Sequence, residues 1–195
     1  MRLFEYEGKR ILSRFGIRVP RGIYVRGFDE LEKLKEKGDV SFPLLLKAQV
    51  LVGGRKKAGG IVSVENMDEL LRKGMELIRG KVRGEKVEGI LVEEKVDVSR
   101  EMYLSIAVDR EERSPIILAS NFGGVDIEEI AERDEKSIVK VYVDPIIGLM
   151  DYHVRYVLRK LKLEGELKSE MAYVLKRIWN IFNEMDAELV EINPL

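Results

Sequence analysis

Apolar residues fall near helical spacing over residues 3–15, where Leu3, Ile11, Leu12 and Phe15 share a face and Gly16 stops the run. Pro20 opens a new segment, and GIYVRG predicts a short strand. Asp29 is placed to cap a charged helix over 29–37 that ends at Gly38. Residues 42–50 predict a buried strand, and 61–64 return as another. Asn66 is placed to cap a helix with Leu70, Leu71, Met75 and Ile78 on its apolar face. Residues 87–98 are rich in β-branched side chains and predict a strand with a bend. A second pattern starts near Arg100. Residues 101–109 and 115–120 predict an antiparallel pair across a polar turn. Asp126 is placed to cap a short helix over 127–133, and 138–143 alternate as a strand. Helices follow over 151–162 and 166–185, the second amphipathic through Leu167, Met171, Val174, Leu175, Ile178, Phe182 and Met185. A last strand over 187–192 leads into Asn193-Pro194-Leu195.

Helices and antiparallel strands mix in both halves, which predicts an α+β protein with two lobes that meet near residues 95–102. The stretch LLLKAQVLVGGRKKAGG, residues 44–60, combines an apolar run carrying Lys47 and Gln49 with a loop of Gly53, Gly54, Arg55, Lys56, Lys57, Gly59 and Gly60. Glycines let a backbone turn successive N–H groups toward one anion, and the basic side chains add charge. Two readings fit this composition: a phosphate-cradling loop, or an exposed hairpin tip in a charge-rich chain. No Gly-Lys-Ser/Thr follows at the required spacing, so it is not a Walker A loop.

Charge narrows the chemistry. Of 195 residues, 35% are charged, yet the formal net charge is −1, which gives no bulk attraction to nucleic acid or an acidic membrane. Abundant Lys, Glu and Arg with no threonine and one glutamine is the hyperthermophile pattern. There is no cysteine, so no disulfide and no thiolate nucleophile. The charged N-terminus lacks the apolar core of a signal peptide, and no run reaches transmembrane length, so a soluble cytoplasmic protein is expected. His153 is the single histidine. The remaining tools are carboxylates, lysines, arginines, backbone amides and a bound metal, a set suited to handling phosphates.

Candidate residues each carry a plain alternative. Glu93 and Glu94 lie late in a strand on opposite faces, so one can face a cleft while the other is a solvated charge. Glu101 opens the next strand. Glu191 and Asn193 share a strand face, which suits a hard cation with oxygen ligands or a pair of surface residues. His153, at a helix start with no carboxylate pattern, reads as a packing or surface residue. Trp179 and Phe182 read as core.

Together, LFEYEGKRILSRFGIRVP, LLLKAQVLVGGRKKAGGI, ILVEEKVDVSREMYLSIAVDR, LASNFGGVDIEEIAE, VYVDPIIGLM and LVEINPL resemble, in order, the ATP-grasp region of the succinyl-CoA synthetase β-subunit family. The resemblance implies an ATP-grasp fold of two α+β lobes with the nucleotide cleft between them, here 1–20 plus 102–195 as the larger lobe and 21–101 as the smaller. It implies ATP/ADP and Mg2+ as cofactors. Lys47 matches a nucleotide-contacting lysine, Gly54 and Arg55 the start of a Gly-Arg-Gly phosphate loop, and Glu93 a hinge-strand glutamate near the adenine. Val96 falls at a nearby nucleotide contact, Glu101 matches the ribose-associated acid, Asn193 a magnesium ligand, and Glu191 a glutamate near the docking phosphohistidine, the catalytic assignment. The implied reaction is the reversible joining of a carboxylate to coenzyme A with formation of a nucleoside diphosphate and phosphate, through an acyl phosphate and a phosphohistidine. That histidine lies on a partner α subunit, which also carries the CoA site.

Three departures stand out. Lys56 replaces the third loop glycine, adding a phosphate contact or blocking a close approach. Phe122 precedes Gly123-Gly124 where part of the family has glutamate. The family continues beyond the position of Leu195 with a hairpin bearing a second magnesium aspartate, then a C-terminal domain. The expectation is therefore a fold lacking the terminal hairpin, with weakened metal affinity, and a missing C-terminal β domain or separate chain as a partner. The alternatives are a nucleotide-binding or assembly subunit without turnover, the β part of an acetate, malate or citrate ligase, and another ATP-grasp ligase.

Overall fold

The computed structural model describes residues 1–38, 40–125 and 127–195. Asp126, expected to cap a helix, lies outside the described residues. The chain forms two compact units, residues 1–13 with 18–97 and residues 14–17 with 98–195.

The first unit starts with helix α1 (Glu5–Arg14), which belongs here up to Ser13. The sequence predicts residues 1–20 with the larger lobe; Glu5 and Lys9 of α1 make ion pairs with Lys47, Arg55 and Glu93 within this unit. Strand β1 (Gly22–Val25) follows, then α2 (Phe28–Lys37). Gly27, not Asp29, is the N-cap of α2, and it offers no side-chain bond. Phe28 is already helical, so Asp29 sits in the first turn, where its charge still favours the positive helix end. Gly38 closes α2 in the left-handed conformation, as expected.

Strands β2 (Leu44–Ala48) and β3 (Ile61–Val64) flank the glycine loop. Asn66 caps α3 (Met67–Arg79) by accepting from Glu69 N at 3.0 Å. Lys81–Val82 and Glu85–Lys86 form a small hairpin, β4 and β5, that sequence patterning did not find. Its turn is Arg83-Gly84, both with positive φ, as the tight turns of two-residue hairpins require. Strand β6 (Ile90–Glu94) completes an antiparallel sheet in the order β1-β6-β2-β3. Leu44, Leu46 and Ala48 of β2 turn to one face, where they join a core with Val64, Leu70, Ile90 and Val92. Helix α3 covers that face and packs against α2. Leu45 and Lys47 turn to the other face.

The second unit begins its sheet with β7 (Tyr103–Asp109) and β8 (Ser114–Ser120), paired from Tyr103↔Ser120 to Asp109↔Ser114. Helix α4 (Ile127–Arg133) and a 3₁₀ turn (Glu135–Ser137), capped by Asp134, lead to β9 (Ile138–Tyr142). Helices α5 (Asp151–Lys160) and α6 (Gly165–Glu184) precede β10 (Leu189–Ile192). The sheet is antiparallel in the order β10-β7-β8-β9. Helix α6 lies against β7 and β10, and α5 against β9. Met171, Val174, Leu175, Ile178 and Phe182 of the α6 stripe are buried, whereas Leu167 and Met185, expected on it, are exposed at the ends. No helix among the described residues is long and apolar enough to cross a membrane.

Candidate functional site

Antiparallel register sets the first cluster. Leu45 lies opposite Glu93 and Lys47 opposite Leu91, so Lys47 and Glu93 are diagonal neighbours on the sheet face away from the α3 core. Their side chains pair directly, and Lys9 of α1 takes the second oxygen of Glu93. Glu5, one turn before Lys9, receives Lys47 at 3.0 Å and Lys9 at 3.1 Å on Oε1. Arg55 Nη2 lies 2.7 Å from Glu5 Oε2 as an ion pair without hydrogen-bond alignment. Three cations thus share two carboxylates, leaving one net positive charge. Glu93 is 2% exposed, so the solvated-charge reading fails for it. Glu94 is the outward one, accepting from Arg21 N at 2.9 Å.

Backbone contacts hold α1 in register with the strand. Tyr6 N donates to Gln49 Oε1 at 3.2 Å, and Gln49 Nε2 donates to the Lys47 carbonyl at 2.9 Å. Gln49, fully buried, is the splint between α1 and the end of β2. Burial pushes the Glu5 carboxyl up, but Lys47, Arg55 and Lys9 outweigh it and bring it down to about 2. Burial likewise pulls Lys47 down, and Glu5 and Glu93 more than reverse that, so its ammonium is raised. Because the Glu5 carboxyl is lowered on folding from 4.5 to about 2, its stabilisation is complete above pH 4.5 and is lost as the pH falls toward 2. That is worth roughly 3 kcal/mol. Urea unfolding of the wild type and Glu5→Gln should show the wild-type advantage shrinking across that window.

The loop after β2 is built as a turn, not a free tip. Gly54 has φ +67°, and its carbonyl accepts from Ala58 N at 3.2 Å. Gly60 N donates to the Arg55 carbonyl at 2.8 Å, and Ala48 N to the Gly60 carbonyl at 2.7 Å. Arg55 Nη1 also reaches the Ala48 carbonyl at 3.2 Å. Lys56 is exposed at the crest, so its side chain does not fill the loop. Arg83, from the β4–β5 turn, braces the loop through the Gly53 carbonyl at 3.2 Å. Val96, the remaining candidate of this unit, is 48% exposed beyond β6.

In the second unit the structure brings Glu101 and Asn193 to one loop. Asn193 Oδ1 accepts from Gly124 N at 2.7 Å, and its Nδ2 donates to the Val125 carbonyl at 2.9 Å. Met102 and Leu195 exchange both backbone bonds, at 3.0 and 2.8 Å. The Gly123-Gly124 loop passes so close that a Cβ on Gly124 would lie 2.1 Å from Glu101 Oε2. Glu191, on exposed β10, accepts from Tyr103 Oη at 3.1 Å. Burial, with the Glu191 carboxylate beside it, pushes the Tyr103 phenol up.

For magnesium the second unit offers the Asn193 amide oxygen. Among the described residues no three His, Cys, Asp or Glu side chains gather as a metal group. An amide oxygen has two lone pairs, and the Gly124 N–H uses one of those on Asn193. The other suits an ion that draws most of its shell from phosphates and water.

His153 is a helix-start residue, in line with the packing reading. Its Nδ1 accepts from Met150 N at 3.0 Å, and the ring is 5% exposed. Burial lowers its pKa, so its contribution is full above 6.5 and declines as pH falls below that value. Glu5, Lys9, Gln49 and Arg83 were not singled out as site residues from the sequence. The signal for Glu5 and Lys9 was their i,i+4 spacing at a helix start.

Comparison with known proteins agrees with this architecture. Residues 2–195 match the ATP-grasp domain family. The chain is 44% identical over its whole length to the succinate–CoA ligase [ADP-forming] subunit beta of Methanocaldococcus jannaschii, covering 52% of that protein. It is 43% identical to the same subunit of Desulfurococcus amylolyticus, covering 51%. It thus spans about half the length of these relatives. Among solved structures, ATP citrate lyase from Methanothrix soehngenii superposes with a TM-score of 0.75 at 22% identity, over 99% of this chain and 46% of that one. A dinucleotide-forming acetyl-coenzyme A synthetase of Ca. Korarchaeum cryptofilum superposes with a TM-score of 0.71 at 22% identity, over 99% and 85%. At that identity the likeness is one of fold. The chain belongs to the ATP-grasp domain family.

Proposed function

We propose that this chain is the nucleotide-handling part of the β subunit of a nucleoside-diphosphate-forming acyl-CoA synthetase, with succinate as the carboxylate. The observation that carries the reading is the gathering of Lys47, Arg55 and Lys9 beside a glycine loop on the sheet face opposite the α3 core. Lys47 and Arg55 bind the phosphates of ATP or ADP, with Gly54 allowing close backbone approach and Lys56 adding charge from the crest. Glu93 and Val96 border the adenine, and Glu101 accepts from a ribose hydroxyl. Asn193 would hold magnesium, which when bound neutralises phosphate charge. Glu191 stands where the phosphohistidine of an α subunit docks, and the α subunit and a C-terminal β region complete turnover. On this reading the chain acts in the tricarboxylic acid cycle.

Calorimetric titration with ADP and ATP, with and without magnesium, tests the nucleotide reading. Saturable binding is expected, and a folded chain that binds neither would count against it. Addition of a matching α chain and C-terminal β region should then give succinate- and CoA-dependent ADP formation. Binding without turnover in that mixture would favour a nucleotide-binding subunit with no catalysis.

A further inference from the structure

We propose that Glu5 is a positioning residue that holds Lys47 and Arg55 at one spacing, ready for the phosphates of a nucleotide. The inference rests on the nucleotide reading above and adds a residue to it. One carboxylate joins a strand lysine to a loop arginine: Oε1 meets Lys47 at 3.0 Å and Oε2 meets Arg55 at 2.7 Å. Lys47 stands on a sheet strand whose register is fixed on both edges, by β3 and by β6. Arg55 stands on the turn that ends at Gly60; its Nη1 reaches the Ala48 carbonyl at 3.2 Å, and Glu5 holds the other terminal nitrogen, Nη2. The carboxylate transfers the order of the strand to the loop.

Glu5 is itself fixed. It opens α1, and the next residue is tied through Tyr6 N to buried Gln49, whose own amide returns to the Lys47 carbonyl. A closed ring therefore runs from Glu5 through Tyr6 and Gln49 to Lys47, and back through the ion pair. Lys9, one turn along α1, is 3.1 Å from Glu5 and completes the set by pairing with Glu93. The Glu5 side chain is 17% exposed, which keeps screening by salt low. Its lowered carboxyl accords with a permanently charged bridge.

The sign of the effect separates positioning from simple charge. Replacing Glu5 by glutamine makes the site more positive, which by itself tightens binding of any phosphate. A loss of affinity therefore identifies preorganisation, whose removal is felt as weaker binding without a lost contact. The full chain and Glu5→Gln are titrated with ATP and, to isolate the phosphate part, with tripolyphosphate. The expected result is a loss of about tenfold for both, at unchanged helix content. In an Arg55→Ala background the same Glu5→Gln change should cost less than about twofold, since the group it positions is gone. Equal or tighter binding by Glu5→Gln overturns the proposal, as does a tenfold loss that persists undiminished in Arg55→Ala. Should Glu5→Gln fail to fold, Glu5→Asp retracts the same charge by one methylene and should lose several-fold. Wild-type affinity in Glu5→Asp would then overturn the proposal. A folded wild type that binds neither ATP nor tripolyphosphate sinks the nucleotide reading itself, whereas binding that is indifferent to Glu5 sinks only the positioning role.

Discussion

Lys47→Ala should weaken ATP binding about 100-fold, close to 3 kcal/mol, while leaving the fold of the first unit in place. The ammonium is the cation carried on a sheet strand, so its place is set by the β2–β6 register and not by a flexible loop. It is 15% exposed, and at low exposure a charge–phosphate contact is screened far less than on an open surface. Alanine also releases Glu5 and Glu93 to compete for the two cations that remain. Glu93 keeps Lys9, so it is not left as an uncompensated buried charge, and folding survives. Lys56→Ala, which removes an exposed crest charge, should cost about threefold or less. Titration of both variants with ATP checks the pair. Equal losses would mean that charge count, not placement, governs binding.

Gly123→Ala should destabilise the second unit by about 3 kcal/mol or more. A Cβ there would lie 2.2 Å from the Met102 carbonyl oxygen, 2.5 Å from its carbon and 2.9 Å from its nitrogen. These are backbone atoms, and both polar ones are already bonded to Leu195, so the strand cannot step aside cheaply. Gly124→Ala meets a different obstacle: φ is +71° and the blocking atom is the end of the Glu101 side chain, which can swing away. It should cost about 1–2 kcal/mol in folding. By displacing Glu101 it should also disturb whatever that carboxylate touches. Urea melts of the two variants give the order directly. A smaller cost for Gly123→Ala than for Gly124→Ala would mean that the loop does not lie against Met102 as described.

Most elements were legible because their signals are local. Asn66 before an amphipathic run caps α3, and the strands predicted over 101–109 and 115–120 across a polar turn form the antiparallel pair Tyr103–Asp109 and Ser114–Ser120, mostly buried. The β4–β5 hairpin escaped notice because each strand has two residues and Arg83 is an unusual partner for glycine in a two-residue turn. The expected strand over 87–98 shortened to Ile90–Glu94, because the backbone of 88–89 bonds to Gln49 instead of continuing the ladder. The site was legible in its cations and in the glycine loop. What patterning missed was their pairing: Glu5 lies 42 residues from Lys47 in sequence, and no local period connects them. Glu93 looked like a strand-end charge until the register put it on the face that α1 reaches.

Gathering five charged side chains at low exposure has a thermal consequence. Stripping water from such groups is costly near room temperature, and that cost falls as the solution is heated, because hydration of ions becomes less favourable. The Glu5–Lys9–Lys47–Arg55–Glu93 knot should therefore contribute more to the first unit in hot water than in cold, while apolar burial levels off. A chain assembled in this way should keep these five side chains in order under heating that loosens solvent-exposed pairs.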